Sequence, residues 1–249
     1  MPLSADGKAP HTFGAILLRG LLAGLIAGLL AGVFAYALGE PQIDAAVAVE
    51  QAAAPAGVHD HGGDEPVTRT GQKAGLFLAT SLYGVAMGGL LAVGYALLRR
   101  RLRTTDDTRA AFGLAGAALV GAVLVPFVKY PPNPPAVGDP ATINQRTVSY
   151  LAMLVIGLVA VWASVVAFRS LKSTAPEWRR VLAGVAAFLV VVAIGYLLLP
   201  AVDEVPGRFP PSLLWNFRIT SLGTQAVLWT ALGLGFGALL APRKVPARV

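Results

Sequence analysis

Six long apolar runs divide this chain, and the loops between them alternate in the sign of their charge. A helix needs about 20 consecutive apolar residues to cross the hydrocarbon core of a bilayer. The runs therefore predict an all-α fold, a polytopic membrane helical bundle with six transmembrane helices in a single integral membrane domain over residues 1–249. The predicted spans are residues 14–38, 75–98, 110–128, 148–168, 180–200 and 213–240. None has Asp or Glu in its interior, so no proton relay through acidic side chains is expected.

The charged residues also predict how the bundle is oriented. Of the 20 Lys and Arg residues, 14 lie near the chain termini or beside the loops after the second and fourth spans, whereas 9 of the 13 acids lie in the other loops. Because basic loops stay in the cytoplasm, both termini are expected on the cytoplasmic side. The basic residues flank apolar spans and form no separate basic face, so membrane lipid is an expected partner and nucleic acid is not.

The longest loop, residues 39–74, is expected on the outer side and carries a candidate metal site. It is rich in Ala, Pro, Gly and acidic residues, a composition that cannot bury a core and predicts a mobile segment. Its motif His59-Asp60-His61 combines imidazole and carboxylate ligands, which suit transition metals such as Co, Ni or Zn. The alternative is that these side chains are only solvated. The chain has no cysteine, which excludes thiolate metal sites and disulfides.

Glycine recurs at every fourth residue of the first span, at Gly20, Gly24, Gly28 and Gly32. Such spacing lines one helix face with small residues and lets another backbone approach closely. We expect this face to pack against another helix of the same chain, and the alternative is docking of a separate membrane subunit. The span is longer than the apolar core of a signal peptide, so it is expected to be retained.

A proline-rich stretch, residues 129–139, follows the third span on the predicted outer side. Each residue before a proline is pushed towards an extended conformation, so the stretch is expected to be stiff and similar to polyproline. Its polar residues Lys129, Tyr130 and Asn133, together with Arg146 just after it, are candidates for the mouth of a solute pathway. The alternative is that Lys129 and Tyr130 only anchor a rigid connector at the membrane interface.

A second stretch of the same kind, residues 205–218, leads into the sixth span. If the helix begins near Pro211, Asn216 and Arg218 lie about two turns inside it, and Gln225 shares a face with Arg218. A charged side chain at that depth usually faces the bundle interior and marks a pathway or a partner. The alternative is that Arg218 extends back to the lipid headgroups.

The chain lacks the motifs of several enzyme classes. It contains no Walker-type phosphate loop, no HExxH metalloprotease motif and no GxSxG nucleophile motif. The chain is therefore not expected to be an enzyme. No internal repeat is visible either, so an inverted-repeat transporter fold is not predicted.

The two proline-rich stretches carry a resemblance to a known family. The run Lys-Tyr-Pro-Pro-Asn-Pro-Pro-Ala-Val-Gly-Asp-Pro at 129–140 and the run Phe-Pro-Pro-Ser-Leu-Leu-Trp-Asn-Phe-Arg at 209–218 resemble characteristic stretches of the CbtA family, described as probable cobalt transporter subunits. The resemblance implies a multi-pass protein of the bacterial inner membrane that takes up cobalt and is linked to cobalamin supply. It also implies a small one-span partner, CbtB, that bears a histidine motif.

The function predicted from the sequence is therefore an integral membrane subunit of a cobalt, or divalent metal, uptake transporter. Cobalt is the expected transported substrate, and no permanently bound cofactor is expected. The metal is expected to bind first at His59, Asp60 and His61. It is then expected to enter from the outer side through a mouth formed by Lys129, Tyr130, Asn133, Arg146, Asn216, Arg218 and Gln225.

Two alternatives to this function stay open at the sequence level. The first is a membrane carrier or enzyme for an anionic or neutral small molecule, because the Arg and Lys residues on the outer side suit phosphate or carboxylate ligands. The second is an assembly subunit that forms no pathway of its own.

Overall fold

The computed structural model describes residues 12–53, 68–102, 104 and 106–241. Within these ranges the chain is helical with no strand, and six helical stretches are long and apolar enough to cross a membrane. The predicted all-α polytopic bundle with six spans is confirmed. The orientation with both termini in the cytoplasm stays a prediction.

The helices follow the predicted spans, with ends that differ by a few residues except in the first span. They are α1 (Phe13–Phe34), α2 (Glu40–Ala53), α3 (Arg69–Leu98), α4 (Asp107–Ala118), α5 (Val125–Lys129), α6 (Ile143–Ser170), α7 (Glu177–Leu198) and α8 (Pro211–Leu240). Two π-helical segments, Ala35–Gly39 and Leu119–Leu124, join α1 to α2 and α4 to α5. Polar side chains cap the starts of α1, α3 and α4. At these positions Thr12, Thr68 and Asp106 accept hydrogen bonds from backbone N–H groups of the first helical turn.

The predicted loop from residue 39 to residue 74 is wrong at both of its ends. The first helix continues through the π-helical segment to Ala53, and α3 begins at Arg69. The segment 40–53 contains five alanines, and alanine is the strongest helix former. Its composition was therefore compatible with a helix as well as with a loop.

Ion pairs fasten α2 to the start of α3. Arg69 Nη2 lies 2.6 Å from Glu40 Oε2 and 2.8 Å from Asp44 Oδ1, and Lys73 Nζ lies 3.2 Å from Asp44 Oδ2. Glu40 is buried, so its pairing with Arg69 replaces the water that its carboxylate loses. These pairs explain why the acids of this segment lie on a packed helix.

The glycine face of α1 packs directly on α3. A Cβ added at Gly24 would overlap the Gly84 carbonyl, and one added at Gly88 would overlap the Gly20 carbonyl. Such overlaps show that the two backbones touch, which only glycine at these positions allows. The face with four-residue glycine spacing is therefore occupied by a helix of the same chain, as expected.

Two ends of the bundle can be distinguished. Residues 12 and 241 lie at one end, which we call the terminal end; the segments 130–142 and 199–210 lie at the other and are called the mouth segments. Towards the terminal end, α1, α3, α4 and α8 share a buried apolar cluster that includes Tyr95, Leu232, Phe236 and Leu240. Side chains therefore fill the terminal half of this four-helix group.

The helices α6 and α7 form a pair that joins the other four through the second π-helical segment and α5. A Cβ on Gly157 of α6 would overlap the Gly121 carbonyl in that segment. Pro126 is the second residue after this segment, and it lacks the N–H that would donate a hydrogen bond to the carbonyl one turn earlier. The π-helical segment coincides with this break in the regular pattern of backbone hydrogen bonds, and the helix then continues to Lys129.

The mouth segments rest on α2. Ala46 of α2 is fully buried against Val137 of the first mouth segment and Phe209 of the second. The helix that replaces the start of the predicted loop therefore supports both mouth segments, at the end of the bundle opposite the terminal end.

Candidate functional site

A cavity of about 810 Å³ lies beneath the mouth segments. Its walls come from α3, the second π-helical segment, α5, α6 and α8, and both mouth segments contribute to its rim. The lining extends along α8 to Gln225, about 21 Å from the start of that helix at 1.5 Å per residue. Since a bilayer core is about 30 Å thick, the cavity extends deep into the bundle.

Six of the seven residues predicted for a pathway or its mouth line this cavity: Lys129, Tyr130, Asn133, Arg146, Arg218 and Gln225. The seventh, Asn216, is exposed and lies outside the lining. It precedes Arg218 by two residues, about 200° around the helix, and so lies on the opposite face of α8. The fold thus brings the polar residues of both proline-rich stretches together, and their role in transport stays a prediction.

Arg218 extends into the cavity from the second turn of α8. Its Nη2 donates to Asn133 Oδ1 at 3.0 Å, and its Nε donates to the Pro132 carbonyl at 3.4 Å. The helix begins at Pro211, whose ring suits a first helical turn, and this start sets the depth of Arg218. The guanidinium is therefore directed at the first mouth segment and not at the lipid.

Lys129 connects the end of α5 to the end of α7. Its Nζ donates to the Tyr196 carbonyl at 2.9 Å and lies 5.5 Å from the centres of the Tyr130 and Tyr196 rings. The Tyr130 hydroxyl donates to the Pro200 carbonyl at 2.7 Å. A cation near the last carbonyls of a helix also interacts favourably with the helix dipole. Partial burial raises the pKa of the Tyr130 hydroxyl, so this side chain stays neutral at physiological pH.

Glu204 holds the two mouth segments together. Its Oε1 accepts from the Thr142 hydroxyl at 2.6 Å, its Oε2 accepts from the Asp139 N–H at 2.8 Å, and Arg146 Nη1 lies 3.4 Å from Oε2. The hydrogen bond from Thr142, followed by that from Asp139 and the Arg146 charge, lowers the pKa of the Glu204 carboxyl. Gly138, at φ +120°, lies against the Arg146 guanidinium, where a Cβ would overlap it.

The inner end of the cavity is polar and incompletely paired. Gln225 and Tyr83 line it, and both also line a second cavity of about 220 Å³ between α1, α3 and α8. The Gln225 Oε1 atom is buried and accepts no hydrogen bond from the described residues. An unpaired amide oxygen at the boundary between two cavities is available to a ligand or to water.

Several residues of this cavity were not predicted from the sequence. Asp203 and Glu204 line it, as do Tyr83 of α3 and Tyr150 of α6. The position of the two acids just before the stretch 205–218 could have identified them. The tyrosines lie in apolar spans, and only the packing of the helices shows that they face this space.

The predicted metal ligands His59, Asp60 and His61 lie outside the described residues. Across the described ranges, no group of three or more His, Asp or Glu side chains could hold a metal ion. The residues that line the cavity supply guanidinium, ammonium, amide and hydroxyl groups, together with two carboxylates. Chemically, the cavity can bind an oxygen-rich polar solute, and its cationic groups favour ligands with negative charge.

A comparison with models of protein families gives a match that covers most of the chain. The model of a family described as "Probable cobalt transporter subunit (CbtA)" matches residues 13–241, which is nearly the whole chain. The match confirms the resemblance drawn from the two proline-rich stretches. No curated protein and no solved structure gives a significant match.

Proposed function

The chain belongs to the CbtA family of probable cobalt transporter subunits, and from this premise we propose that it admits cobalt through the cavity beneath the mouth segments. It is a multi-pass membrane protein of a transporter family, with six helices suited to cross a membrane. In the proposal the metal enters from the outer side, the membrane is the bacterial inner membrane, and the uptake serves cobalamin supply.

One observation carries this proposal. The polar residues of both proline-rich stretches line a single cavity that extends from the mouth segments to Gln225. Polar groups within membrane spans are costly and usually mark the route of a solute. Buried side chains of the four-helix group pack towards the terminal end, away from the mouth segments, which supports entry at the mouth segments.

The proposal includes a partner and a first binding step. The family description names a subunit, which implies a further chain in the transporter. We assign that role to a small one-span CbtB-like membrane protein. The motif His59-Asp60-His61 would collect cobalt before entry, because imidazole suits transition metals and the acidic residues nearby attract cations.

Uptake of radioactive cobalt tests the proposal. Bacterial cells without other cobalt uptake routes would express the chain together with its partner, and cobalt accumulation would be measured at low external concentrations. Expression should raise the initial uptake rate, and alanine at His59 and His61 should lower it most when cobalt is scarce. Equal uptake by cells with and without the protein would overturn the proposed function.

A second candidate, a carrier for an anionic or neutral solute, is favoured by a specific observation. Lys129, Arg146 and Arg218 all line the cavity, and these side chains suit carboxylate or phosphate groups. Citrate and phosphate uptake, measured without cobalt in the same cells, separates the two candidates. Protein-dependent uptake of an anion without metal would favour the second.

A further inference from the structure

Two of the cations that line the cavity have no carboxylate partner among the described residues. Arg218 is hydrogen-bonded to an amide and a carbonyl, and Lys129 to a carbonyl. No Asp or Glu oxygen of the described part of the chain lies within 4.0 Å of either. Charges without counter-ions are costly where water is scarce. The cavity therefore holds positive charge that a ligand could neutralise.

The acidic residues of the cavity compensate for only part of this charge. Glu204 already accepts hydrogen bonds from Thr142 and Asp139 and pairs with Arg146. Asp203 is close enough to influence Arg218 electrostatically but forms no ion pair with it. A divalent cation without a ligand would therefore be repelled by Lys129 and Arg218, and only the Asp203 carboxylate would remain to bind it.

The size of the cavity also exceeds what one ion needs. Six first-shell waters at roughly 30 Å³ each amount to about 180 Å³, whereas the cavity measures about 810 Å³. Pockets of roughly 300–1,000 Å³ typically hold organic ligands. The volume thus fits a metal that is carried by a small organic molecule.

We infer that this cavity receives cobalt as a complex with a small polycarboxylate and not as the hydrated ion. The inference rests on the proposed function and specifies the form of its substrate. Cobalt with one citrate trianion carries net negative charge, which Arg218 and Lys129 would neutralise. The guanidinium would exchange Asn133 and the Pro132 carbonyl for a carboxylate in bidentate geometry.

Binding to the purified full-length protein in lipid nanodiscs tests the inference without any variant. Isothermal calorimetry would compare cobalt chloride, cobalt with citrate, and cobalt with ethylenediamine, whose complex is cationic. We expect the citrate complex to bind at least about tenfold more tightly than either other form, because only it gains charge-assisted hydrogen bonds. Equal or tighter binding of the hydrated ion or of the cationic complex would overturn the inference.

A matched pair of variants locates the site. Arg218→Gln should weaken binding of the citrate complex about tenfold or more, and Arg218→Lys should weaken it less because the charge remains. Arg208→Gln removes an exposed arginine of the second mouth segment that does not line the cavity, and it should leave binding unchanged. If Arg218→Gln and Arg208→Gln both bind like the parent, the cavity is not the binding site and the inference fails.

Uptake separates this inference from the proposed function. Protein-dependent entry of hydrated cobalt, with no gain from citrate, would overturn the inference and leave the transport function in place. Tight binding of the citrate complex without protein-dependent cobalt entry would overturn the transport function and support the binding site. If Arg218→Gln does not fold, as judged by thermal unfolding, the comparison of the three cobalt forms on the parent protein still decides the inference.

Discussion

At the scale of single residues, the mouth of the cavity depends on a few polar contacts between segments far apart in the sequence. Glu204 is the clearest case, because its carboxylate joins residues 139 and 142 of the first mouth segment to the second. Both of its oxygens accept hydrogen bonds, and these bonds are stronger when the carboxylate is ionised. The contact is therefore sensitive to pH in a defined direction.

We predict that acid weakens the mouth through Glu204. Its pKa in the folded protein is lower than the ordinary value of 4.5, so its contribution to stability is complete above about pH 4.5 and is lost as the pH falls through the lowered pKa. Thermal unfolding in detergent should show the parent losing stability relative to Glu204→Gln as the pH falls from about 6 to about 3.5. A constant difference between the two across this range would contradict the prediction.

Individual residues also show how far the sequence alone could lead. Arg218 and Gln225 were predicted to share a face because helical spacing places them there, and both line the cavity. Asn216 does not line it, since nearness in sequence does not decide which face of a helix a residue occupies. Tyr83 and Tyr150 could not have been predicted, because their convergence depends on how α3 and α6 pack around the same space.

At the scale of elements, the crossing of α1 and α3 is the most extensive helix contact among the described residues. Sequence spacing was sufficient to predict close packing of α1, because glycine at every fourth residue leaves one helix face without side chains. The spacing could not identify the partner helix, which the contact of Gly24 with Gly84 and of Gly20 with Gly88 now gives. The loop predicted at 39–74 was wrong at its start for a different reason, because composition alone does not reveal ion pairs such as Arg69 with Glu40.

We predict that Gly84→Ala lowers the free energy of unfolding by about 1–3 kcal/mol, the usual cost of adding atoms to a filled interface. The new methyl group would overlap the Gly24 carbonyl, and backbone cannot move aside as a flexible side chain can. Gly94→Ala on the same helix is the matched control, because a Cβ there meets nothing within 4 Å. Unfolding by denaturant in detergent measures both, and equal stabilities would show that the helices separate at little cost.

We also predict that Arg69→Ala releases α2 from α3. The change would leave the buried Glu40 without its cation, which should cost about 1–3 kcal/mol, whereas replacing both partners should cost less. Hydrogen exchange of α2 amides should therefore quicken in Arg69→Ala and return towards the parent rate in Arg69→Ala with Glu40→Leu. Exchange that stays slow in the single variant would mean that apolar contacts such as Ala46 suffice to hold α2.

At the scale of the whole molecule, four helices form a packed group and α6 with α7 form a pair beside it. The number of spans followed from the sequence because each span must be long and apolar to cross a bilayer. The arrangement of the spans did not follow, since lipid is as apolar as most of their side chains and hydrophobicity alone cannot select neighbours. Close contacts such as Gly121 with Gly157 determine it instead.

We predict that both ends of the chain lie in the cytoplasm. Fusions of a reporter enzyme after residues 103 and 249 should report the cytoplasm, and a fusion after residue 139 should report the opposite side. The expectation rests on the basic loops at the terminal end of the bundle. A periplasmic signal from either of the first two fusions would contradict this topology.

The continuous helical stretch from Phe13 to Ala53 links the membrane-spanning part of the chain to the cavity entrance. Its 41 residues measure about 60 Å, which is roughly twice the thickness of a bilayer core. We therefore expect α2 to extend beyond the hydrocarbon region. The π-helical segment Ala35–Gly39 interrupts the regular α-helix between α1 and α2. Because Ala46 of α2 packs against both mouth segments, a change in the tilt of α2 would also move the residues at the cavity entrance.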